Sequence, residues 1–365
     1  MNRVTFAFDM PHGAAYVGGI AFIINQYILN KELFYQNGYQ IELLDYSKCN
    51  IIDKRVSSKV LNVLNMVKQA RMLDNYILEN PDTIIHLHTS IGWTLLKDLI
   101  IANYVKRRHK VNLVLSIHFA ELSKILAHNS IVRRFQIRSL KTSFERIIFL
   151  SEKTRDEFVR CGIEKKKTEV LYTFHSYHSN NTFTPQRSNI KTLLFMGTID
   201  KRKGIIDLLK ALRQINNYAF HLHICGQIND DTIKDEFLGL LEELNEKVTF
   251  HGYVNGLEKE ELFENADIFV LPSYGEGMPI VIMEAMAKGC AIISTEVGAI
   301  GEIVKKENGI LIQPGDIDAL KEALKYFMDD KMILETVKEK NTEYGSEFNI
   351  ESNIEKLTDI YMKVR

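Results

Sequence analysis

The sequence predicts an α/β protein built from two doubly wound domains, on three observations. At 365 residues the chain is long enough for two domains of ordinary size. Short apolar runs alternate with amphipathic stretches in both halves, and apolar strands joined through helices make parallel sheets covered on both faces. The polar segment HSYHSNNTFTPQRSN divides the two series. The expected organisation is a first domain over 1–174, a linker over 175–189 and a second domain over 190–345. An amphipathic helix over 346–365 is expected to pack back across the domains.

In the first half VTFAF, YQIELL, TIIHLH, VNLVLSIH, RIIFLS and TEVLY read as strands. The patterns IAFIINQYILNKELFYQ and WTLLKDLIIANYVKRR between them read as helices. In the second half the strands are TLLFMG, FHLHICG, VTFHG, IFVLP, AIIST and GILIQ. Its helices are IIDLLKALRQI, EELFENA, PIVIMEAMAK and IDALKEALKYFMDD, and the tail EFNIESNIEKLTDIYMKV adds one more. In doubly wound sheets ligands bind in crevices at the carboxyl ends of the strands.

Composition excludes several classes. Four scattered cysteines without a CxxC pair argue against a disulfide framework and a zinc site, and fit a reducing cytosol. The apolar run at the N-terminus is short and broken by Asp9, unlike a signal peptide, and no stretch reaches the length of a membrane span. A cytoplasmic location is expected. The formal net charge of −1 hides an asymmetry: residues 1–172 hold 25 Lys and Arg against 16 Asp and Glu, and 173–365 hold 21 against 31. The basic half suits an anionic partner, or is simply an uneven solvated surface.

The motifs sit where strands run into helices. SYGEGMPIVIMEAMAKG follows the strand IFVLP, and free backbone N–H groups around Gly277, Met278 and Ile280 face an anion site at a helix N-terminus. Pro279 suits the first helical position. Glu276 projects beside that site, and Glu284 lies inside an apolar helix, where a carboxylate needs a partner. Two acceptor oxygens suit a ribose diol; an ion pair with a Lys or Arg is the equal alternative. GTIDKRKG offers Arg202 and Lys203 to phosphate oxygens, unless it is a solvated turn. PHGAAYVGGI places Gly18 and Gly19 before the first helix, but no Lys-Ser/Thr follows, and GEGMPI does not complete GxGxxG. Both failures weigh against an NTPase or a dehydrogenase. His86, His88 and His118 end strands at the crevice edge, as structural or as catalytic residues. Asp316 and Asp318 read as a helix start rather than a metal pair, so no metal site is expected.

EGMPIVIME, read as E-x7-E and flanked by ADIFVLPS and EAMAKGCAIISTEVGAIGEIV, resembles the retaining nucleotide-sugar glycosyltransferase family four of the GT-B fold. The resemblance is dense over 192–330 and sparser over the first half. It implies two Rossmann-like domains facing each other across a cleft, an acceptor-binding one first and a nucleotide-sugar-binding one second. It implies that Glu276 sits by the transferred sugar, Glu284 on the ribose, and Lys203 with Arg202 on the diphosphate. Gly18, Gly19, Gly277, Met278 and Pro279 would line the donor, Tyr253 and Val254 the base, and His118 would reach the donor sugar. The family commonly carries Gly-Arg where this chain has Gly197-Thr198, so a phosphate-binding arginine is missing, and Arg202 is the substitute within reach.

The expected activity is metal-independent sugar transfer, with retention, from a nucleotide-diphosphate sugar. UDP and GDP are the first candidate donors, and no cofactor is expected. The acceptor is a glycan or a lipid-linked glycan, in cell-surface polysaccharide biosynthesis. Rival readings are a sugar phosphorylase, a nucleotide-sugar epimerase and a non-catalytic relative that binds sugar nucleotides. Residues 122–141 mix Lys124, Arg133, Arg134, Arg138 and Lys141 with apolar residues. They read as a basic amphipathic helix for the inner face of an anionic membrane, or as a packing helix with a solvated edge. No nucleic-acid partner is expected.

Overall fold

A computed structural model describes residues 1–8, 19–49, 57–119, 126, 128–177 and 190–364. The chain divides into two compact units, Met1–Tyr172 with Ile350–Arg365, and Thr173–Asn349. Each holds a six-stranded sheet.

In the first unit the strands are β1 (Asn2–Phe8), β2 (Tyr39–Asp45), β3 (Ile84–Thr89), β4 (Asn112–Ile117), β5 (Arg146–Phe149) and β6 (Thr168–Val170). They are parallel, in the order β2-β1-β3-β4-β5-β6. Six described helices precede the second unit: α1 (Gly19–Leu29), α2 (Lys31–Gln36), α3 (Ser58–Glu79), α4 (Trp93–Arg108), α5 (Ser130–Ser143) and α6 (Glu152–Arg160). Leu99, Ile101, Leu113, Leu115 and Phe149 are wholly buried between this sheet and its helices.

In the second unit β7 (Lys191–Met196), β8 (Phe220–Cys225), β9 (Val248–Gly252), β10 (Ile268–Leu271), β11 (Ala291–Thr295) and β12 (Gly309–Ile312) run parallel in the order β12-β11-β10-β7-β8-β9. Its helices are α7 (Ile205–Gln214), α8 (Asp231–Leu244), α9 (Gly256–Asn265), α10 (Ile280–Ala287), α11 (Ile300–Ile303), α12 (Ile317–Asp329) and α13 (Lys331–Gly345). Asp316 caps α12 by accepting the Ala319 N–H at 2.9 Å. The twelve apolar runs read as strands all form strands, because such runs gain most when both faces are covered.

The sequence reading does not contain α3, α6, α8, α11 or α13, and α9 begins at Gly256, ahead of EELFENA; other helices also depart from expectation. The pattern over 20–36 is two helices: Asn30 separates α1 from α2, its side-chain amide donating to the Gln26 carbonyl at 2.9 Å. The basic helix expected over 122–141 is described from Ser130, where Asn129 caps it by accepting from the Ile131 and Val132 N–H groups. Residues 120–125 and 127 lie outside the described residues, as does 178–189 of the expected linker. The tail helix is α14 (Ile350–Met362), and it belongs to the first unit. There Tyr27 donates to Asn353 at 2.7 Å, and Asn353 donates to the Tyr172 carbonyl at 2.7 Å. The chain passes between units at Tyr172/Thr173, and His175, placed in the linker by sequence, hydrogen-bonds the Gly345 carbonyl within the second unit.

One glycine sets how closely two loops approach. Gly204 has φ +71°, and a Cβ there would lie 2.0 Å from the Pro272 carbonyl oxygen. Gly204→Ala is therefore expected to destabilise the second unit by about 1–3 kcal/mol, through strain and forced separation of the loops. Urea unfolding followed by circular dichroism should show a lower midpoint, and an unchanged midpoint would contradict this packing.

Candidate active site

In the second unit the chain lays down β7, β8 and β9 in one direction and then returns to place β10 on the other side of β7. The reversal makes a topological switch point, where the loops leaving β7 and β10 open side by side. The first loop carries Thr198, Asp200, Arg202 and Lys203, and the second carries Ser273 to Pro279. Asp200 caps the tight turn Lys201–Lys203, one oxygen accepting the Lys203 N–H at 3.0 Å and the other the Thr198 hydroxyl at 2.6 Å. The Tyr274 N–H donates to the Arg202 carbonyl at 2.7 Å, which stitches the loops together.

Across this seam the side chains converge on one oxygen. Glu276 is buried, and its Oε1 accepts from Lys203 Nζ at 2.6 Å and from the Ser273 hydroxyl at 2.9 Å. Arg202 Nη1 stands 3.4 Å from the same oxygen and donates to the Gly275 carbonyl at 3.1 Å. Two motifs read separately in the sequence, Glu276 from one and Arg202 with Lys203 from the other, thus form one cluster. The Arg202 side chain remains about half exposed, with its other arm 3.8 Å from Asp200. Thr198 is engaged with Asp200, so the position of the family's arginine supplies no cation.

The glycine corner is braced from behind. The Thr295 hydroxyl donates to the Ser273 carbonyl at 2.5 Å, and the Ala299 N–H to the Gly277 carbonyl at 2.8 Å. Pro279 is the N-cap residue of α10 rather than its first helical residue, with φ −73° and ψ 118°. The Met278 side chain is buried, and its sulfur accepts the Thr173 N–H at 3.4 Å. Its side chain therefore packs inside the unit.

Glu284 is 2% exposed in its side chain, on the helix that begins after this corner. Lys259 of α9 donates to its Oε1 at 2.6 Å, while Oε2 is buried without a hydrogen-bond partner among the described residues. The ion-pair reading of the sequence is thus met by one oxygen, and the other is left open. Tyr253 is exposed and Val254 buried in the turn between β9 and α9.

In the first unit the switch lies between β1 and β3. Gly18 lies outside the described residues, and Gly19 opens α1 with no atom of the described residues within 4 Å of where a Cβ would stand. His118 follows β4 directly, its N–H donating to the Thr89 carbonyl at 2.9 Å. His118 Nε2 and His88 Nδ1 share a hydrogen bond of 2.8 Å, with the rings stacked 5.0 Å apart. His86, one step further back, bonds the Ser116 hydroxyl at 2.8 Å and the Tyr361 hydroxyl of α14 at 2.7 Å. Burial pushes His118 down to about 4, His86 to about 3 and His88 well below its ordinary value, so all three imidazoles are neutral near pH 7. Among the described residues no group of three or more His, Cys, Asp or Glu is placed to hold a metal ion.

Two family profiles match the chain in succession, Glycosyltransferase Family 4 over residues 45–175 and Glycosyl transferases group 1 over 180–345. The chain belongs to the group 1 glycosyltransferases. An uncharacterized glycosyltransferase of Methanocaldococcus jannaschii is 36% identical over 134 residues, or 36% of this chain and 34% of that protein. The Campylobacter jejuni N-acetylgalactosamine-N,N'-diacetylbacillosaminyl-diphospho-undecaprenol 4-alpha-N-acetylgalactosaminyltransferase is 28% identical over 221 residues, covering 58% of each chain. The matched region thus spans from about a third to just over half of these curated relatives. The structure of Anabaena HepE in complex with UDP aligns with a TM-score of 0.73 at 16% identity, over 99% of this chain and 100% of that one. The shared fold is the two-domain α/β GT-B class; the alternation of strands and helices predicted two doubly wound domains, and the E-x7-E resemblance implied GT-B.

The sequence pointed to His118 and left His88 as a strand-end residue; it also missed Ser273 and Lys259 altogether. The alternation in HLHT was the available signal for His88, since residues two apart on a strand share a face. Neutral histidines also make a pH prediction for this group 1 chain. Unfolded, His86 and His118 titrate near 6.5, and folded only near 3 and 4, so between these values the unfolded chain binds more protons. The stability they support is complete above pH 6.5 and is lost as pH falls, by up to about 1.4 kcal/mol per pH unit for each histidine. The chain has one tryptophan, Trp93 of α4, so its fluorescence reports the first unit. The urea midpoint read this way should drop from pH 7 to pH 5, and His86→Gln should flatten the drop. Equal midpoints for wild type at both pH values would contradict the neutral ladder.

Proposed function

We propose that the chain is a retaining, metal-independent glycosyltransferase that uses a UDP- or GDP-sugar. The observation that carries this reading is the meeting of Lys203, Arg202 and Glu276 at the switch point, with the half-paired Glu284 eight positions further on. A diphosphate offers Lys203 and Arg202 oxygens carrying more charge than one carboxylate, and the helix that starts after Pro279 adds its N-terminal field. In the transfer, the bond from the anomeric carbon to the diphosphate oxygen breaks. The acceptor hydroxyl bonds to the same face of that carbon, and its proton leaves with the diphosphate. Lys203 and Arg202 stabilise the departing charge. Glu276 then faces polar groups of the sugar, and His118 of the first unit, neutral near pH 7, is able to donate or accept a hydrogen bond.

The first test is a thermal-shift screen of UDP-, GDP- and ADP-sugars. A bound donor at 100 times its Kd stabilises by about 2.7 kcal/mol. Lys203→Ala should then lower kcat/KM for transfer by about 2–4 kcal/mol, roughly 30- to 1000-fold. Wild-type turnover at all donor concentrations would remove Lys203 from the diphosphate. A non-catalytic relative is the second reading, favoured by Thr198 in place of the arginine. Donor binding without transfer or hydrolysis would decide for it.

The proposed acceptor is a glycan or a lipid-linked glycan, in cell-surface polysaccharide biosynthesis on the cytoplasmic face of an anionic membrane. Among the described residues no helix is long and apolar enough to cross a membrane, so contact would be peripheral. On α5 Ile131 and Phe135 are exposed beside exposed Arg133, Arg134, Arg138 and Lys141. On α3 Val60, Val63, Leu64 and Val67 form an exposed stripe at helical spacing, flanked by Lys59, Lys68 and Arg71. Both helices pack on α4. Basic residues near an anionic surface contribute about 1 kcal/mol each. Wild type should therefore pellet with anionic vesicles at low salt, and Arg133→Glu/Arg134→Glu should pellet less. Wild type left in the supernatant would remove the membrane contact and leave the transferase reading standing.

A further inference from the structure

Helices α9 and α10 face each other through three ion pairs in two groups of opposite polarity. Lys288, just after α10, donates to Glu260 at 2.6 Å and to Glu264 at 2.8 Å, and its ammonium lies 4.6 Å from the centre of the Tyr177 ring. That cation has two carboxylates and an aromatic face. The other pair is half made. Glu284 has one cation, Lys259 at 2.6 Å, on Oε1, and its buried Oε2 has no partner among the described residues. An unmatched buried acceptor is costly, and an alkyl side chain would suit the apolar surface of Ile282, Met283, Ala285 and Met286 better. A carboxylate kept there with one oxygen fixed and the other open is arranged to receive a donor from outside.

Lys259 stands in the first turn of α9, directly after the turn that leaves β9. That turn bends through two glycines in the left-handed region, Gly252 at φ +69° and Gly256 at φ +56°, and displays Tyr253 to solvent. One lysine therefore ties Glu284 to the helix that carries the exposed turn. We propose that Lys259 is a positioning residue for the nucleotide ribose. It fixes the Glu284 carboxylate through Oε1, so that Oε2 accepts a ribose hydroxyl of a nucleoside diphosphate while the turn before α9 meets the base. The inference rests on the nucleotide-sugar reading of this site.

The test is calorimetric binding of UDP and GDP and of their 2′-deoxy forms to wild type, Lys259→Met and Lys259→Arg, with the thermal midpoint of each variant. Wild type should prefer ribose to deoxyribose by about tenfold or more, the value of a hydrogen bond to a charged group. Lys259→Met should lose most of that preference. Arginine matches a carboxylate through two parallel N–H bonds and would take Oε2 as well. Lys259→Arg should therefore keep or raise the thermal midpoint and still lose the preference, an outcome that a purely structural ion pair would not give. Either variant folded and discriminating like wild type would overturn the proposal. So would a wild type that binds nucleotide without preferring ribose, although the donor site would then stand. Wild type binding neither nucleotide would bring down the nucleotide-sugar reading itself.

Discussion

The contact between Lys203 and Glu276 at 2.6 Å is the constraint on which the second unit's site depends. It joins two loops far apart in the chain but side by side in space, because β7 and β10 are neighbours only after the sheet reverses direction. Neighbouring strands lie about 5 Å apart, so loops leaving the same ends crowd unless the backbone can lie flat. Gly204 lets the first loop rest on Pro272, and Gly298, at φ +57°, lets the segment after β11 pass within reach of the Glu276 and Gly277 carbonyls. With those approaches in place, a lysine and a glutamate near the loop ends meet. Desolvating such a pair offsets much of its attraction, so it adds little stability. On the function proposed above, its value lies in holding an ammonium and a carboxylate ready to exchange partners.

The first unit arranges polar groups by a different route. His86 and His88 are two apart on β3, hence on one face of the sheet, and His88 pairs in register with Ser116 on β4. His118 is two residues beyond Ser116 and continues that row. The row is covered by aromatic side chains, with Phe6 5.5 Å from both His86 and His88, and by Tyr361 from α14. Imidazoles in such surroundings are held neutral by burial; His88 and His118 share a hydrogen bond, and His86 bonds the Ser116 and Tyr361 hydroxyls. The last helix of the chain thus completes the surroundings of a row of residues from the first third of it.

Several features were legible in the sequence. Strands were, because a run of four to seven apolar residues with no helical period has few other ways to bury itself. The placing of Glu276 in a corner and Glu284 in an apolar helix was legible for the same local reason, as was the cap at Asp316. The break at Asn30 was less so, since one side-chain amide competing for a helix carbonyl leaves the apolar period intact. The start of α5 at Asn129 was a readable capping signal, submerged in a longer run of basic and apolar residues.

What the sequence determined by itself was the periodicity of its clearest segments: twelve strands, the helices other than α3, α6, α8, α11 and α13, and the residue types at each strand end. What only the tertiary structure decided was which of those ends stand together. Lys203 with Glu276, Lys259 with Glu284, His88 with His118 and Tyr361 with His86 all depend on strand order or helix placement. The physical reason is the range of the interactions. Backbone period and capping act over a few residues and leave their mark in the local pattern. A hydrogen bond between residues 275 positions apart, as in His86 and Tyr361, exists only after the whole unit has closed around it.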